Sequence, residues 1–250
     1  MNSKRLPGKV LKEYKGISPL KVLIERLIDA KFNINDIIIA TTSKRVDRKI
    51  INFSKKYKIN FFTGDENDVL GRFYKTAVKF KIQNIIRITS DCPFVDLNIL
   101  KKMINIFKKQ KYDYLANTYP LPCKFPDGMD IEIFNMQTLK KTNKLSKLPS
   151  DREHVTKFIW QSKLFKCKKI NLKTDLSKYR VTIDTREDFN FFKLLINEFS
   201  FKKLKKIRMH EIINFIKKNN FKLKYQQKIQ RNFGWKSSIK KDLEFVKKKA

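Results

Sequence analysis

Short runs of β-branched and aromatic residues alternate with longer amphipathic stretches along most of this sequence. The runs DIIIATT (36–42), INFFTG (59–64), NIIRITSD (84–91) and YDYLANT (112–118) are typical of strands. DIIIATT and NIIRITSD have the pattern of buried strands. The stretches between them place apolar residues at helical spacing. Since strands separated by helices of this length form βαβ units, the sequence predicts an α/β fold with a mainly parallel mixed sheet and helices on both faces.

Three further segments complete the predicted sheet. MDIEIF (129–134) alternates in hydrophobicity, which indicates an edge or antiparallel strand, and LFKCKKIN (164–171) and RVTID (180–184) are short strand candidates. A helix is expected to follow, capped by Thr185 or Asp184. We therefore expect one core domain over residues 1–220 and a basic C-terminal extension over 221–250.

Composition favours a folded protein of the cytoplasm. The chain has 250 residues, 41% of them hydrophobic, and 21 are Phe, which argues against a disordered chain. No apolar run approaches the roughly 20 residues of a membrane span, and no signal peptide is evident. Cys92, Cys123 and Cys167 are scattered without metal-type spacing, so reduced thiols are expected.

The formal net charge of +34 raises the alternative of a nucleic-acid-binding protein. However, the excess is mostly lysine and is spread over nearly every segment rather than gathered on one face or in placed arginines. We interpret it as a solvated surface, with weak affinity for polyanions in general and no specific nucleic-acid partner.

Two aspartates follow predicted strands and are candidates for a metal site. Asp91 ends NIIRITSD and Asp184 ends RVTID. Ligands of open parallel sheets bind outside the carboxyl ends of the strands, and two carboxylates there suit Mg²⁺. The alternative is that each aspartate caps the helix that follows it.

The opening loop supplies positive charge that complements these carboxylates. Arg5 and Lys9 flank Leu6-Pro7-Gly8, a turn in which Gly8 lets the backbone approach a ligand closely. Arginine grips phosphate oxygens with two donors and lysine acts as a compact charge. Together the loop and the aspartates predict a site for phosphate and metal, and hence nucleotide chemistry.

At this point the sequence resembles the cytidylyltransferases that make CMP-sugar acids from 3-deoxy-octulosonate and acylneuraminate. It is most similar to their bacterial spore-coat polysaccharide branch, the SpsF-type proteins. The motifs that carry the resemblance, in chain order, are SKRLPGKVL (3–11), IATT (39–42), DVLGRFY (68–74), RITSDCP (87–93), PDGMDIE (126–132), REHVT (152–156), VTIDTRED (181–188) and RNFGW (231–235).

The resemblance implies a Rossmann-like nucleotidyltransferase fold, a homodimer and transfer of CMP from CTP to a sugar with release of pyrophosphate. Arg5 and Lys9 are expected to hold the triphosphate, and Asp91 and Asp184 match the family's Mg²⁺-binding aspartates. The residues expected to bind the nucleotide are Ser3, Arg5, Gly8, Lys9 and Arg72.

Four residues are candidates for contacts with sugar hydroxyls: Asp127, Asp130, Glu132 and His154. Each has a structural alternative, such as turn formation by Asp127-Gly128 or a structural role for His154. Arg72 is equally compatible with a salt bridge on a helix surface.

The sequence also departs from the family in two ways. Ser90 stands where the family usually has Gly before the metal aspartate, and Met1 aligns inside the signature loop, so the family's first strand is expected to be missing. This leaves an inactive truncated homologue as an alternative. A sugar-nucleotide-dependent glycosyltransferase is a further alternative, although Asp127-Gly-Met-Asp130 lacks the D-x-D spacing of its metal site.

Overall fold

The strands in the described part of the chain form two sheets and, with the helices between them, confirm the predicted α/β fold. The computed structural model describes residues 5–219, 231 and 233–247. In these residues the strands are β1 (Ile38–Thr42), β2 (Asn60–Gly64), β3 (Asn84–Arg87), β4 (Tyr114–Ala116), β5 (Glu132–Asn135) and β6 (Cys167–Lys169). The helices are α1 (Pro19–Asp29), α2 (Arg48–Lys56), α3 (Val69–Lys79), α4 (Leu97–Lys109), α5 (Met136–Leu145), α6 (Pro149–His154), α7 (Lys157–Gln161), α8 (Arg186–Glu198), α9 (Phe201–Lys206), α10 (Met209–Lys218) and α11 (Phe233–Lys247).

Parallel and antiparallel pairs both occur in the sheets. β1 pairs with β2 in parallel, with Ile38 opposite Asn60. The second sheet has the order β3-β5-β4-β6, in which β5 is antiparallel to both neighbours and β4 is parallel to β6. The strand predicted from MDIEIF is thus antiparallel and lies inside its sheet rather than at an edge.

Helices cover both faces of the larger sheet, as the alternation predicts. Successive residues of a strand point to opposite faces. Leu115 of β4 packs in a buried cluster with Leu100 and Met103 of α4, whereas the preceding residue Tyr114 packs with Leu70 of α3 in a different cluster. Each face therefore buries its own apolar core.

One predicted strand is wrong. Residues 180–184 make only an isolated parallel bridge between Asp127 and Arg180, without a ladder. Val181 and Ile183 are nonetheless fully buried, because they belong to the apolar cluster that also contains Phe192 of α8. The β-branched pattern indicated an extended buried segment correctly, but it contains no information on a pairing partner.

The C-terminal part of the chain packs against the core where it is described. α11 lies against α6, and Asp242 of α11 accepts a hydrogen bond from the backbone N–H of Ser150 at 2.8 Å. Among the described residues, no helix combines the length and the apolar character needed to cross a lipid bilayer.

Candidate active site

A cluster of opposite charges joins the opening loop to the two aspartates. Lys9 Nζ donates to Asp91 Oδ2 at 2.6 Å and to Asp184 Oδ1 at 2.8 Å. Arg5 forms an ion pair with the other oxygen of Asp184. Four side chains that the sequence singled out therefore meet at one point, although they come from three distant segments of the chain.

Local structure brings the loop residues to this point. Leu6 is buried in an apolar core, which fixes the loop, and Gly8 adopts a left-handed conformation with φ of 69°. That conformation is accessible to glycine at little cost. It precedes the 3-10 turn Lys9–Leu11, so the turn starts with the lysine that faces the two carboxylates.

The segment that carries Asp184 lies alongside Asp91. The carbonyl of Asp91 accepts hydrogen bonds from the backbone N–H of Ile183 at 2.8 Å and from the hydroxyl of Thr182 at 3.1 Å. These contacts hold the two aspartates side by side without a continuous strand ladder.

Neither aspartate caps a helix, which removes the alternative that sequence reasoning left open. Asp96 caps α4, and its side chain accepts from Asn98 and Ile99. Thr185 caps α8 in a capping box with Asp188. The carboxylates of Asp91 and Asp184 are instead directed to the cations of the opening loop.

The charges of the cluster stabilise one another. Burial disfavours the ammonium of Lys9, but Asp91 and Asp184 outweigh this effect, so the pKa of Lys9 lies above its ordinary value. Burial likewise opposes ionisation of Asp91, yet Lys9 holds the pKa of Asp91 below its ordinary value. Both groups are therefore charged at neutral pH, which suits a site that binds phosphates.

Arg180 is a member of the site that sequence reasoning missed. Its guanidinium donates to both oxygens of Asp188 at 3.0 Å, forms an ion pair with Asp127, and lies 3.7 Å from Asp184. An arginine four residues before the candidate metal aspartate was the available signal, but its partner Asp127 lies 53 residues earlier in the chain. Arg180 therefore connects the Pro-rich loop, residues 119–128, which contains Asp127, to the charge cluster formed by Arg5, Lys9, Asp91 and Asp184.

Asp130 belongs to a second, adjacent group of polar residues. Its Oδ1 accepts from the hydroxyl of Thr118 at 2.9 Å and from Arg231 Nη2 at 2.6 Å. Burial raises the pKa of Asp130 to about 6, although the Arg231 cation favours the ionised form. Sequence reasoning included Arg231 in the RNFGW motif but assigned it no role in the site.

Glu132 is held inside the sheet by three donors. Its carboxylate accepts from Arg87, from the hydroxyl of Tyr114 at 2.6 Å and from Thr156. Only 1% of the residue is exposed. The structure thus gives Glu132 a complete set of protein partners, and its contact with a sugar stays a prediction.

The remaining candidates lie apart from the charge cluster or outside the described residues. Arg72 on α3 donates to the carbonyl of Asp65 at 2.5 Å. His154 forms a 3.0 Å hydrogen bond with Ser238, and burial lowers the pKa of His154 to about 4. Ser3 lies outside the described residues. The nucleotide and sugar roles of these residues stay predictions.

The cytidylyltransferase family model matches residues 1–232, which is most of the chain. The chain belongs to the cytidylyltransferase family. It is thus a member of a family of nucleotidyltransferases, as the resemblance of the motifs implied.

Individual relatives agree with this family and with its fold. The spore coat polysaccharide biosynthesis protein SpsF of Bacillus subtilis is 34% identical over 202 residues, which cover 78% of this chain and 82% of that protein. The structure of a cytidylyltransferase from Leptospira borgpetersenii has a TM-score of 0.81 and 34% identity, and the match covers 88% of this chain and 91% of that one. A CMP:2-keto-3-deoxy-manno-octonic acid synthetase complexed with CTP matches over 78% and 94% of the two chains with a TM-score of 0.57, and at 14% identity it supports the fold alone. The predicted Rossmann-like nucleotidyltransferase fold is confirmed.

Proposed function

We propose that the protein transfers CMP from CTP to an acidic sugar for surface polysaccharide biosynthesis. A sugar hydroxyl oxygen attacks the α-phosphorus, the bond from that phosphorus to the bridging oxygen breaks, and pyrophosphate leaves while the hydroxyl proton passes to solvent. The observation that carries the proposal is the meeting of Arg5, Lys9, Asp91 and Asp184 in a chain of the cytidylyltransferase family. The name of the SpsF relative favours the polysaccharide role.

Arg5 and Lys9 are assigned to the triphosphate. Transfer of a phosphoryl group depends mainly on positioning and on neutralisation of charge. The raised pKa of Lys9 keeps its ammonium charged throughout the neutral range. On binding of CTP, the two cations exchange carboxylate oxygens for phosphate oxygens, so their charge is already in place when the pyrophosphate departs.

Asp91 and Asp184 are assigned to Mg²⁺. Both carboxylates contact the same ammonium nitrogen, at 2.6 and 2.8 Å, so their oxygens converge on a point that a cation occupies. Within the described part of the chain no group of three or more His, Cys, Asp or Glu side chains is placed to hold a metal. Two carboxylates together with substrate phosphates are a usual Mg²⁺ environment. When bound, Mg²⁺ supplies positive charge that polarises the phosphate.

Asp127 and Asp130 are assigned to the sugar. Asp127 lies next to the charge cluster through Arg180, and Arg231 connects Asp127 to Asp130. Carboxylates at this position accept hydrogen bonds from sugar hydroxyls. Asp91 and Asp184 come from separate segments of the chain, whereas a D-x-D glycosyltransferase carries its metal aspartates in one short motif. The arrangement therefore favours transfer of CMP over glycosyl transfer. The expected homodimer remains part of the proposal.

The proposal is tested by pyrophosphate release from CTP in the presence of MgCl₂ and either 3-deoxy-octulosonate or N-acetylneuraminate. We expect release that requires both CTP and one of these sugar acids, and that stops on addition of EDTA. Asp91→Asn is expected to reduce the rate at least about a hundredfold, because it removes a preorganised charge from the site.

Asp36→Asn is the matched control, because Asp36 is an exposed aspartate outside the site. Its rate should equal that of the unmodified protein. Equal rates for Asp91→Asn and the unmodified protein would contradict the metal assignment. Absence of release with both sugar acids would contradict the proposed substrate class.

A further inference from the structure

The arginine of the RNFGW motif reaches into the sugar side of the site. Arg231 Nη1 contacts Cys123 Sγ at 2.8 Å and donates to the carbonyl of Phe125 at 2.9 Å, while Nη2 donates to Asp130 at 2.6 Å. Its Nε lies 3.8 Å from Asp127. A single guanidinium, 15% exposed, thus joins the Pro-rich loop to the carboxylate assigned to the sugar.

The ionisation of Asp130 depends on this cation. Asp130 faces Thr118, Arg231, Asp127, Tyr119 and Glu132. Among the groups that act on it, burial and the two other carboxylates favour the protonated acid, whereas Arg231 and the Thr118 hydroxyl favour the carboxylate. The arginine therefore fixes the direction of the carboxylate and also favours its charged form.

The helix that follows Arg231 is anchored to the core by its own polar contacts. Lys157 is buried and donates to Asp151 at 3.0 Å, and its second carboxylate neighbour, at 3.6 Å, is Asp242 of α11. Ser238 of the same helix bonds to His154 at 3.0 Å. These contacts show that Arg231 precedes a docked helix, which restricts where its guanidinium can lie.

The Pro-rich loop is fixed from the opposite side as well. The carbonyl of Asp127 accepts from the N–H of Val181 at 2.7 Å, and a Cβ at Gly128 would come within 2.3 Å of the Thr182 nitrogen. The loop therefore lies directly on the segment that leads to Asp184. Arg231 contacts the same loop at Cys123 and Phe125.

We propose that Arg231 is a positioning residue for the second substrate: it holds the Asp130 carboxylate and the Pro-rich loop in the arrangement that binds the sugar. Arg5 and Lys9 act on the nucleotide, so the C-terminal segment governs sugar binding separately from CTP binding. The role in sugar binding rests on the proposed function, whereas the arrangement of the loop does not.

The arrangement of the loop is tested by the reaction rate of Cys123 with N-ethylmaleimide, followed by mass spectrometry of the peptides. Arg231→Gln removes the charged hydrogen bonds that the guanidinium donates to the Phe125 carbonyl and to Asp130. We expect labelling of Cys123 to accelerate at least about tenfold, because the loop no longer covers the thiol. Burial raises the pKa of the Cys123 thiol and Arg231 opposes this effect, so loss of the cation by itself would slow labelling, and an acceleration therefore reports exposure of the thiol. Cys92, which is 3% exposed and packs in a separate apolar cluster, should remain protected in every variant.

Lys241→Gln is the matched control, because it removes the exposed ion pair of α11 with Glu153 but leaves Arg231 in place. Its Cys123 rate should match that of the unmodified protein. An unchanged Cys123 rate in Arg231→Gln would overturn the proposed arrangement of the loop.

The role in sugar binding is tested by steady-state kinetics with CTP and whichever of 3-deoxy-octulosonate and N-acetylneuraminate is turned over. Arg231→Gln should raise the KM for the sugar acid at least about tenfold and leave the KM for CTP within about twofold. The pH below which the sugar KM rises should move upward from about 6, because Asp130 loses the cation that favours its charged form. Arg231→Lys keeps the charge and should keep the pH profile.

Equal increases in both KM values, or a pH profile that does not move in Arg231→Gln, would overturn the positioning role. Absence of turnover by the unmodified protein with both sugar acids would contradict the proposed function instead. In that case the labelling of Cys123 still decides whether Arg231 fixes the loop.

Discussion

Two regions of the molecule pair cations with carboxylates, but they differ in how far the carboxylate is exposed and in how many protein donors it receives. In the charge cluster, Lys9 and Asp91 keep 17% and 25% of their side chains exposed, and each cation faces carboxylates that also have other partners. In the network around Glu132, the cation Arg87 is also 17% exposed, but only 2% of the Glu132 side chain is exposed. That carboxylate accepts from Arg87, from Tyr114 and from the hydroxyl of Thr156, which belong to different parts of the fold.

This difference in exposure indicates in which region the charged side chains can exchange their protein partners for a ligand. A partly exposed ion pair contributes little net stability, because solvent screens it and competes for its groups. A buried carboxylate cannot lose its cation without leaving an uncompensated charge. The charge cluster therefore has the character of a binding site, and the Glu132 network that of a structural connection between β3, β4 and β5.

The largest expected effect that separates the two regions is on stability. Glu132→Gln removes a buried carboxylate that accepts from Arg87, Tyr114 and Thr156 and leaves Arg87 without its countercharge, so the free energy of unfolding should fall by about 3 kcal/mol. Urea unfolding followed by circular dichroism measures this change. A stable Glu132→Gln protein with a raised sugar KM would show instead that Glu132 contacts the sugar.

A smaller effect, on activity alone, is expected for the charge cluster. Lys9→Gln should reduce pyrophosphate release about a hundredfold, because the ammonium assigned to the triphosphate is lost. The free energy of unfolding should change by less than about 1 kcal/mol, since partly exposed ion pairs add little. Lys12→Gln removes an exposed lysine nearby and serves as the control; an equal loss of rate in both variants would assign the effect to general charge.

The smallest expected effect is on the pH dependence of stability, through His154 of α6, which forms a hydrogen bond with Ser238 of α11. Burial lowers the pKa of His154 from an ordinary value of 6.5 to about 4, so the unfolded chain binds a proton at His154 more readily than the folded one. The stability contributed by neutral His154 is present above pH 6.5 and is lost as the pH falls towards 4. Thermal unfolding of His154→Gln between these pH values should show a shallower decline than that of the unmodified protein, and parallel declines would contradict this origin.

The sequence was most informative where structure depends on local pattern. The alternation of strands and helices predicts the fold class because the apolar spacing of each element reflects the faces that it buries. Thr185, one of the two caps considered for α8, does cap the helix, since a capping box is a local feature. The turn at Gly8 was predictable for the same reason.

Most contacts between distant segments were beyond this reasoning, although complementary charge placed the opening loop and the two aspartates in one site. The resemblance named Arg5, Lys9, Asp91 and Asp184 together, but the residues alone left helix capping open. Arg231 finds its partners about a hundred residues away, between 101 and 108 positions earlier in the chain, which no local spacing indicates. The missing ladder of residues 180–184 has the same cause, because strand pairing depends on a neighbour that periodicity does not identify.

The position of Asp242 beside buried Lys157 also has a consequence for synthesis of the protein. A nascent chain emerges from the ribosome at about 5–20 residues per second, so the ammonium of Lys157 appears several seconds before α11. Until that helix docks, Lys157 has Asp151 but lacks Asp242 beside it. Final closure of the core around α6 therefore has to wait until Asp242 has been synthesised.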